Sequence, residues 1–267
     1  DLPLAVAGTH GKTTTTSMLS LILLAAKVDP TILVGGELPQ IGGNLHIGDE
    51  KYLVFEACEY VESFLNFRPF LSIITNIEED HLDYFVNLSH IITSFEKFAR
   101  LNSPDGTIIV CSDDKNIHTI VQNIEQKVLK YAIDDKKADF KAENIKETSD
   151  GKTSYDIMLR GEYFATINLN VPGRHNVLNS LGAALAAYSL GIDKEAIKRF
   201  ECYNLEYPKG CIIAKVNMID CVNVDEALRK NLKNRNELVY RGIQDRNWHG
   251  YGFKLENVKN IKPIYVN

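Results

Sequence analysis

The chain has 267 residues, of which 45% are hydrophobic and 24% are charged, and its formal net charge is −5. This length allows one large domain or two ordinary ones, with the composition of a globular protein. The acidic balance gives no electrostatic case for a nucleic-acid coat or a membrane surface, and no apolar run is long enough to span a bilayer.

The first predicted unit is a strand over residues 4–7, a glycine-rich turn over 8–13 and a helix over 13–27. Glycines at Gly8 and Gly11 allow the backbone to approach an anion, and the amides that begin the helix point at it. Lys12 supplies a cation for the outer phosphates of a nucleotide, and the Thr13 hydroxyl can bind Mg²⁺. The spacing G-x-x-G-K-T is shorter than the common phosphate loop, so a glycine-rich turn without a ligand is the alternative.

The next predicted strands cover residues 31–34 and 52–55, with turns at the glycine pairs 35–36 and 42–43. The second of these strands is buried and ends at Glu56. A carboxylate at the carboxyl edge of a sheet, beside a phosphate loop, is a natural Mg²⁺ ligand. A solvated surface glutamate is the alternative interpretation of Glu56.

A further apolar strand over residues 71–75 leads into Asn76 and an acidic segment that contains His81. Imidazole is tolerated in mixed metal shells, so His81 is a candidate metal ligand. An acidic surface loop with a histidine–aspartate pair would have the same composition and is the alternative.

Strands and helices then alternate: helices over 88–101 and 115–123, and strands over 107–111 and 128–132. This alternation predicts an α/β fold with a mostly parallel sheet of the P-loop type, flanked by helices. Right-handed crossovers would bring the strand ends that carry the polar residues to one edge. Residues 140–145, 153–159 and 163–169 are instead predicted as short antiparallel strands, which form a small β subdomain.

The segment from Pro172 to Asn179 opens an apolar helix predicted over 176–190, and another helix is predicted from residue 194 to 200. By pattern alone the segment is a turn and a helix start at which asparagine caps the helix.

The pattern changes after residue 200, which predicts a domain boundary between residues 1–200 and 201–267. The tail has a predicted strand over 209–217, a short helix over 225–232 and an extended stretch over 253–264. This composition indicates an α+β segment whose fold the pattern does not define.

The five cysteines form no C-x-x-C pair, and their number is odd: Cys58, Cys111, Cys202, Cys211 and Cys221. Free thiols in a cytoplasmic protein are the expected state. A zinc site built from the last three cysteines and a histidine is the alternative, although their spacing fits no common zinc pattern.

The string VAGTHGKTTTTS at residues 6–17 closely resembles the nucleotide loop of the Mur ligases, the ATP-dependent amide-forming ligases of bacterial cell-wall synthesis. The string TNI-x-x-DH-x-D at 75–83 and G-x-H-N-x-x-N at 173–179 resemble two further motifs of that family. The histidine at position 10 resembles the loop of the branch that adds L-alanine to UDP-N-acetylmuramate, or that of the related tripeptide-recycling ligase.

The resemblance implies a role for each candidate residue. ATP would contact the loop residues Gly8, Thr9, His10, Gly11, Lys12, Thr13 and Thr14. Mg²⁺ would be held by Thr13, Glu56 and His81. The catalytic residues would be Lys12, Glu56 and His81. Adenine and ribose would contact His175, Asn176 and Asn179, while Thr75 and Asn76 would line the site of the incoming carboxylate. Asn44 would face the UDP-sugar.

The implied reaction is phosphoryl transfer from ATP to the muramoyl carboxylate, followed by attack of the amine of L-alanine on the acyl phosphate. The family also has an N-terminal domain for the UDP-sugar and a C-terminal domain for the amino acid, and neither is expected in this chain. Weak or absent ligase activity of the chain alone would follow.

The tail resembles the ASCH domain family, small β-barrels suspected of binding RNA, through residues 208–221 and 251–264. A divergent Mur ligase tail is the competing explanation. The second functional hypothesis is therefore a nucleotide-binding module without ligase activity, joined to a fragment that binds nucleic acid.

Overall fold

A computed structural model of the chain describes residues 2–122, 124–148, 151–198, 211–223 and 251–265. The chain divides into two compact units, Asp1–Tyr207 and Pro208–Asn267. Among the described residues, no helix is both long enough and apolar enough to cross a membrane.

In its described residues, the first unit is built on one ten-stranded sheet with five α-helices. Its strands are β1 Leu2–Ala7, β2 Pro30–Leu38, β3 Gly43–His46, β4 Asp49–Glu56, β5 Leu71–Ile74, β6 Thr107–Cys111, β7 Lys127–Ala132, β8 Phe140–Glu147, β9 Thr153–Leu159 and β10 Glu162–Leu169. Its helices are α1 Lys12–Ala25, α2 Leu88–Arg100, α3 Lys115–Val121, α4 Arg174–Ser189 and α5 Lys194–Lys198. The strand order is β10-β9-β8-β7-β6-β5-β1-β4-β2-β3.

The central strand β1 determines where the polar loops meet. It pairs in parallel with β4 on one side and with β5 on the other, and β5 pairs in parallel with β6. The last four residues of β1 are fully buried, as expected for a strand covered on both faces. The loops after these four strands therefore emerge at one edge of the sheet, and the predicted, mostly parallel α/β fold is confirmed.

The strand β2 differs from its prediction because it continues through the glycine pair 35–36, which was wrongly predicted as a turn. A Cβ atom at Gly35 would lie 2.8 Å from Glu56 Oε2, so this glycine permits close approach rather than a reversal. The chain turns through a short 3-10 helix, Pro39–Ile41, that ends at Gly42, and the unpredicted strand β3 then pairs antiparallel with β2.

The predicted antiparallel strands are present as β8, β9 and β10, and they extend the main sheet because β8 pairs in parallel with β7. Helix α3 ends two residues before the predicted end, and α4 begins two residues earlier than predicted, at Arg174. Helices α1 and α4 pack against each other, as do α2 and α3.

The second unit contains an antiparallel pair of strands, β11 Cys211–Asn223 and β12 Tyr251–Tyr265. Both predicted extended stretches fall largely within these strands. The predicted helix over 225–232 and the last two residues of the helix predicted over 194–200 lie outside the described residues. The domain boundary after residue 200 and the ASCH-like tail stay predictions.

Candidate active site

The phosphate loop connects β1 to α1 with a backbone that glycine alone accommodates. Gly11 is the N-cap of α1 with a φ of 85°, and no side chain caps the helix. Gly8 has a φ of 137°, and a Cβ atom there would overlap Thr75 Oγ1. A Cβ atom at Gly11 would lie 2.5 Å from Asn179 Oδ1. The loop thus presents its backbone and the N–H groups that begin α1, an arrangement suited to phosphate.

The loop after β5 holds the phosphate loop in place. The Asn76 side chain accepts a hydrogen bond from His10 N at 2.8 Å and donates one to His10 O at 2.9 Å. Thr75 Oγ1 donates to His10 O at 2.7 Å. Thr75 and Asn76 therefore brace the backbone of His10, a task that the sequence pattern did not reveal. Their predicted contact with the incoming carboxylate stays a prediction.

Lys12 forms an ion pair with Glu59, a residue that the sequence analysis had not assigned. Lys12 Nζ lies 3.1 and 2.9 Å from the two carboxylate oxygens of Glu59, and it also donates to Gly8 O and Thr9 O. The Glu59 side chain is only 2% exposed. A buried carboxylate needs a cation or several donors to stay charged, so Lys12 compensates its charge in this state.

Glu59 is also close to the candidate metal ligand His81. Ligand atoms of Glu59, Asp80 and His81 lie within 4.8 Å of one another, and His81 Nε2 is 3.8 Å from Glu59 Oε1. Two carboxylates and an imidazole are a suitable donor set for a divalent cation. A second carboxylate in the segment Glu56–Tyr60 was the available sequence signal for Glu59.

Glu56, the carboxylate predicted to bind Mg²⁺, lies beside the other predicted ligand, Thr13. Thr13 Oγ1 donates a hydrogen bond of 3.0 Å to Glu56 Oε2, and Gly35 N donates to Glu56 Oε1. The three predicted metal ligands are therefore found in two groups: Thr13 with Glu56, and His81 with Glu59 and Asp80.

The loop after β6 supports the site from the next strand. Asp114 Oδ2 accepts a hydrogen bond from Ile77 N at 2.8 Å, and the side-chain amide of Asn116 donates to Ile77 O at 2.7 Å.

Burial raises the pKa of the Cys111 thiol to about 12, so this cysteine stays protonated and unreactive. Cys58 is exposed.

The candidate adenine-binding residues occupy three different settings on α4. Asn179 is buried against Gly11 of the phosphate loop, and Asn176 donates to Pro172 O at 2.7 Å. His175 is exposed, and the N-cap is Gly173 rather than an asparagine. The expected asparagine cap is therefore wrong, whereas the contacts of these residues with adenine and ribose stay predictions.

The remaining candidates lie at the loop and at the sheet edge. Thr14 lies in the first turn of α1, and exposed His10 has its imidazole 3.8 Å from Glu78. Asn44 is exposed on β3, which is separated from β1 by β4 and β2. Its predicted contact with a UDP-sugar stays a prediction.

Comparison with known proteins identifies one family. The Mur ligase middle domain matches residues 6–187. The chain is 47% identical over 195 residues to the UDP-N-acetylmuramate–L-alanine ligase of Acetivibrio thermocellus, covering 73% of this chain and 42% of that protein. It is 48% identical over 196 residues to the enzyme of the same name from Alkaliphilus metalliredigens, again covering 73% and 42%. The chain spans about half the length of the curated relatives it matches.

Solved structures agree with this assignment. The UDP-N-acetylmuramate–alanine ligase of Thermotoga maritima aligns with a TM-score of 0.65 and 29% identity, covering 74% of this chain and 44% of that one. The UDP-N-acetylmuramate:L-alanyl-γ-D-glutamyl-meso-diaminopimelate ligase of Neisseria meningitides aligns with a TM-score of 0.66 and 27% identity, covering 76% and 66%. On these matches, and with the phosphate loop at the edge of its sheet, the chain belongs to the Mur ligase family, whose middle domain it contains.

Proposed function

We propose that the chain binds Mg²⁺ and ATP and supplies the phosphoryl-transfer half of a ligase that joins L-alanine to UDP-N-acetylmuramate. The observation that carries this proposal is the convergence of Lys12, Thr13, Glu59 and His81 around the uncapped start of α1. Cations and backbone donors aimed at a nucleotide, beside carboxylates that can hold a metal, are what phosphoryl transfer requires.

The donor set fits Mg²⁺ in both groups of side chains. Thr13 with Glu56, and Asp80 and His81 with Glu59, would hold the ion or ions beside the phosphate loop. A bound ion would supply neutralisation of the charge on the β- and γ-phosphates. Lys12 would move its ammonium from Glu59 to the terminal phosphate, and the loop amides would orient the phosphates.

The reaction that we propose begins with attack of the muramoyl carboxylate on the γ-phosphorus of ATP, which releases ADP and leaves an acyl phosphate. The amine of L-alanine then attacks the acyl carbon, and phosphate leaves. The residues of this chain act mainly by positioning and by neutralising charge. The acceptor would approach over the phosphate loop, near Thr75 and Asn76, with the UDP-sugar extending toward Asn44.

L-alanine is the proposed amino acid because the curated relatives that are 47–48% identical carry that name. Among the solved structures, the alanine ligase and the tripeptide ligase are nearly equal in identity, at 29% and 27%, so the curated relatives carry this choice. ATP, UDP-N-acetylmuramate and L-alanine are thus the proposed small-molecule partners. Cys58 and Cys111 are free thiols, which fits the proposed cytoplasmic location.

Phosphate release tests this function. We expect the chain with Mg·ATP to release phosphate slowly. UDP-N-acetylmuramate and L-alanine together should raise that release only weakly, because the match to the family is to its middle domain alone. D-alanine and UDP-N-acetylglucosamine are the matched controls, because each differs from a proposed substrate in one feature. Release that is the same in all mixtures, together with measurable ATP binding, would favour the nucleotide-binding module without ligase activity.

A further inference from the structure

The two loops that carry Glu59 and His81 are joined to each other by side chains. Residues 57–62 follow β4, residues 75–84 follow β5, and β1 lies between these strands. Within the described residues, no backbone–backbone hydrogen bond connects 57–62 to 78–84. The separation of Glu59 from His81 therefore depends on the side chains that span the two loops.

Tyr60 makes the most extensive of these connections. Its ring lies 4.7 Å from the imidazole of His81, centroid to centroid, with the planes 40° apart. Its hydroxyl donates a hydrogen bond of 2.9 Å to Asp83 Oδ2. Tyr60 directly follows Glu59, and Asp83 lies two residues beyond His81. One side chain thus contacts the candidate ligand of the opposite loop and is anchored beyond it.

The backbone on both sides is held in conformations that few side chains favour. His81 has a φ of 50°, and Val61 and Glu62 have φ values of 47° and 55°. Left-handed backbone at residues other than glycine persists only where the surroundings enforce it. Tyr84 N and Phe85 N both donate to His81 O at 2.9 Å, which fixes the backbone of the turn. The orientation of the imidazole depends instead on the side chains that it contacts.

A second connection also joins these two loops, at a greater distance from the candidate ligands. Glu62 pairs with Lys97 of α2 at 3.3 Å and accepts a weak hydrogen bond from Tyr84 Oη at 3.4 Å. The Tyr84 ring packs edge-on to Tyr60, 6.3 Å away. Because the Glu62–Lys97 and Glu62–Tyr84 contacts do not involve Tyr60, we expect them to keep the loops together in Tyr60→Leu and allow the test in a folded protein.

We propose that Tyr60 is a positioning residue that, anchored by Asp83, orients the His81 imidazole toward Glu59 and thereby sets the geometry of the divalent-cation site. This inference rests on the proposed Mg²⁺ function of the site and extends it to residues that do not touch the ion. Groups that orient a metal ligand from outside typically change metal affinity by 10–100-fold when removed. Tyr60 does so mainly through its ring, and its hydrogen bond to Asp83 Oδ2 adds a smaller restraint on where that ring lies.

The test is binding of Mn²⁺, as the probe cation, to the whole chain with and without a non-hydrolysable ATP analogue. Electron spin-echo modulation of the bound Mn²⁺ then reports a coordinated histidine nitrogen. We expect Tyr60→Leu to weaken Mn²⁺ binding by roughly tenfold and to diminish the nitrogen modulation. Tyr60→Phe keeps the ring and should stay within about threefold of the wild type, because a single exposed hydrogen bond contributes little. Asp83→Asn keeps an acceptor for the Tyr60 hydroxyl and should likewise stay within about threefold of the wild type.

Tyr163→Leu is the matched control, since Tyr163 is an exposed tyrosine whose hydroxyl pairs with Thr166 on β10, at the sheet edge opposite β3. Thermal unfolding of all variants shows which of them remain folded. A folded Tyr60→Leu with the Mn²⁺ affinity and nitrogen modulation of Tyr163→Leu would overturn the inference alone. A wild-type chain that binds no Mn²⁺, with or without nucleotide, would overturn the proposed function and this inference together.

Discussion

Glu59→Gln is expected to remove most of the Mg²⁺ dependence of ATP binding while strengthening the binding of metal-free ATP. Lys12 is paired with Glu59 in the described state, and the Glu59 side chain is almost fully buried. If Lys12 turned to a phosphate without a metal present, it would leave a buried carboxylate uncompensated, which is costly. A metal ion that replaces Lys12 at Glu59 removes that cost, so ATP and Mg²⁺ should assist each other's binding.

Glutamine keeps the shape of Glu59 and removes its charge. The gain in ATP affinity that Mg²⁺ provides should fall by roughly 100-fold or more, because loss of a ligand should cost at least as much as loss of a group outside the ligand shell. Metal-free ATP should bind more tightly by about 1 kcal/mol. In the variant, Lys12 leaves a neutral glutamine rather than a charged glutamate when it turns to the phosphate. Calorimetric titrations with Mg²⁺ and with a chelator measure both quantities.

Two further variants show whether the effect of Glu59→Gln is specific to Glu59. Glu96→Gln is the control, because Glu96 lies on α2 and pairs with Arg100 of the same helix. Glu56→Gln tests whether the carboxylate beside Thr13 contributes to the same ion. Equal weakening of ATP binding by Glu59→Gln with and without Mg²⁺ would mean that Glu59 acts only on the fold.

Lys12→Ala should weaken Mg·ATP binding by roughly 2–4 kcal/mol, the range for loss of a preorganised charge contact. It should also destabilise the nucleotide-free protein by about 3 kcal/mol, because Glu59 then loses its cation. Calorimetry measures the first effect, and chemical denaturation measures the second.

Lys12→Met separates loss of charge from loss of volume, since methionine keeps much of the side-chain length. Arg100→Ala is the surface control: Arg100 is 53% exposed and pairs with Glu96 of its own helix, and exposed pairs contribute little to stability. Unchanged ATP affinity in Lys12→Ala would refute the assignment of the phosphate loop.

The sheet could largely be predicted from the sequence because buried parallel strands are short apolar runs that end in polar residues. Residues 52–55 and 71–75 are such runs, and both correspond to strands beside β1. The glycine pair 35–36 could not be interpreted correctly from the sequence. Glycine permits both a turn and a close approach, and only the position of Glu56 across from it decides between them.

The candidate site shows the same division between local and long-range information. Lys12, Thr13 and His81 each follow a strand, and strand order brings them to one edge. Glu59 went unassigned because its importance comes from burial and from its contacts with Lys12 and His81, which are 47 and 22 residues away along the chain. The bracing of His10 by Asn76 likewise depends on β5 lying next to β1.

The most direct test of the nucleotide site is a calorimetric titration of a non-hydrolysable ATP analogue into the wild-type chain in the presence of Mg²⁺. The convergence of Lys12, Thr13, Glu59 and His81 predicts saturable binding to a single class of sites, greatly weakened when a chelator removes the metal. ATP should compete for that site. Binding that is not saturable, or that is the same with Mg²⁺ and with the chelator, would contradict a Mg·ATP site at this edge of the sheet.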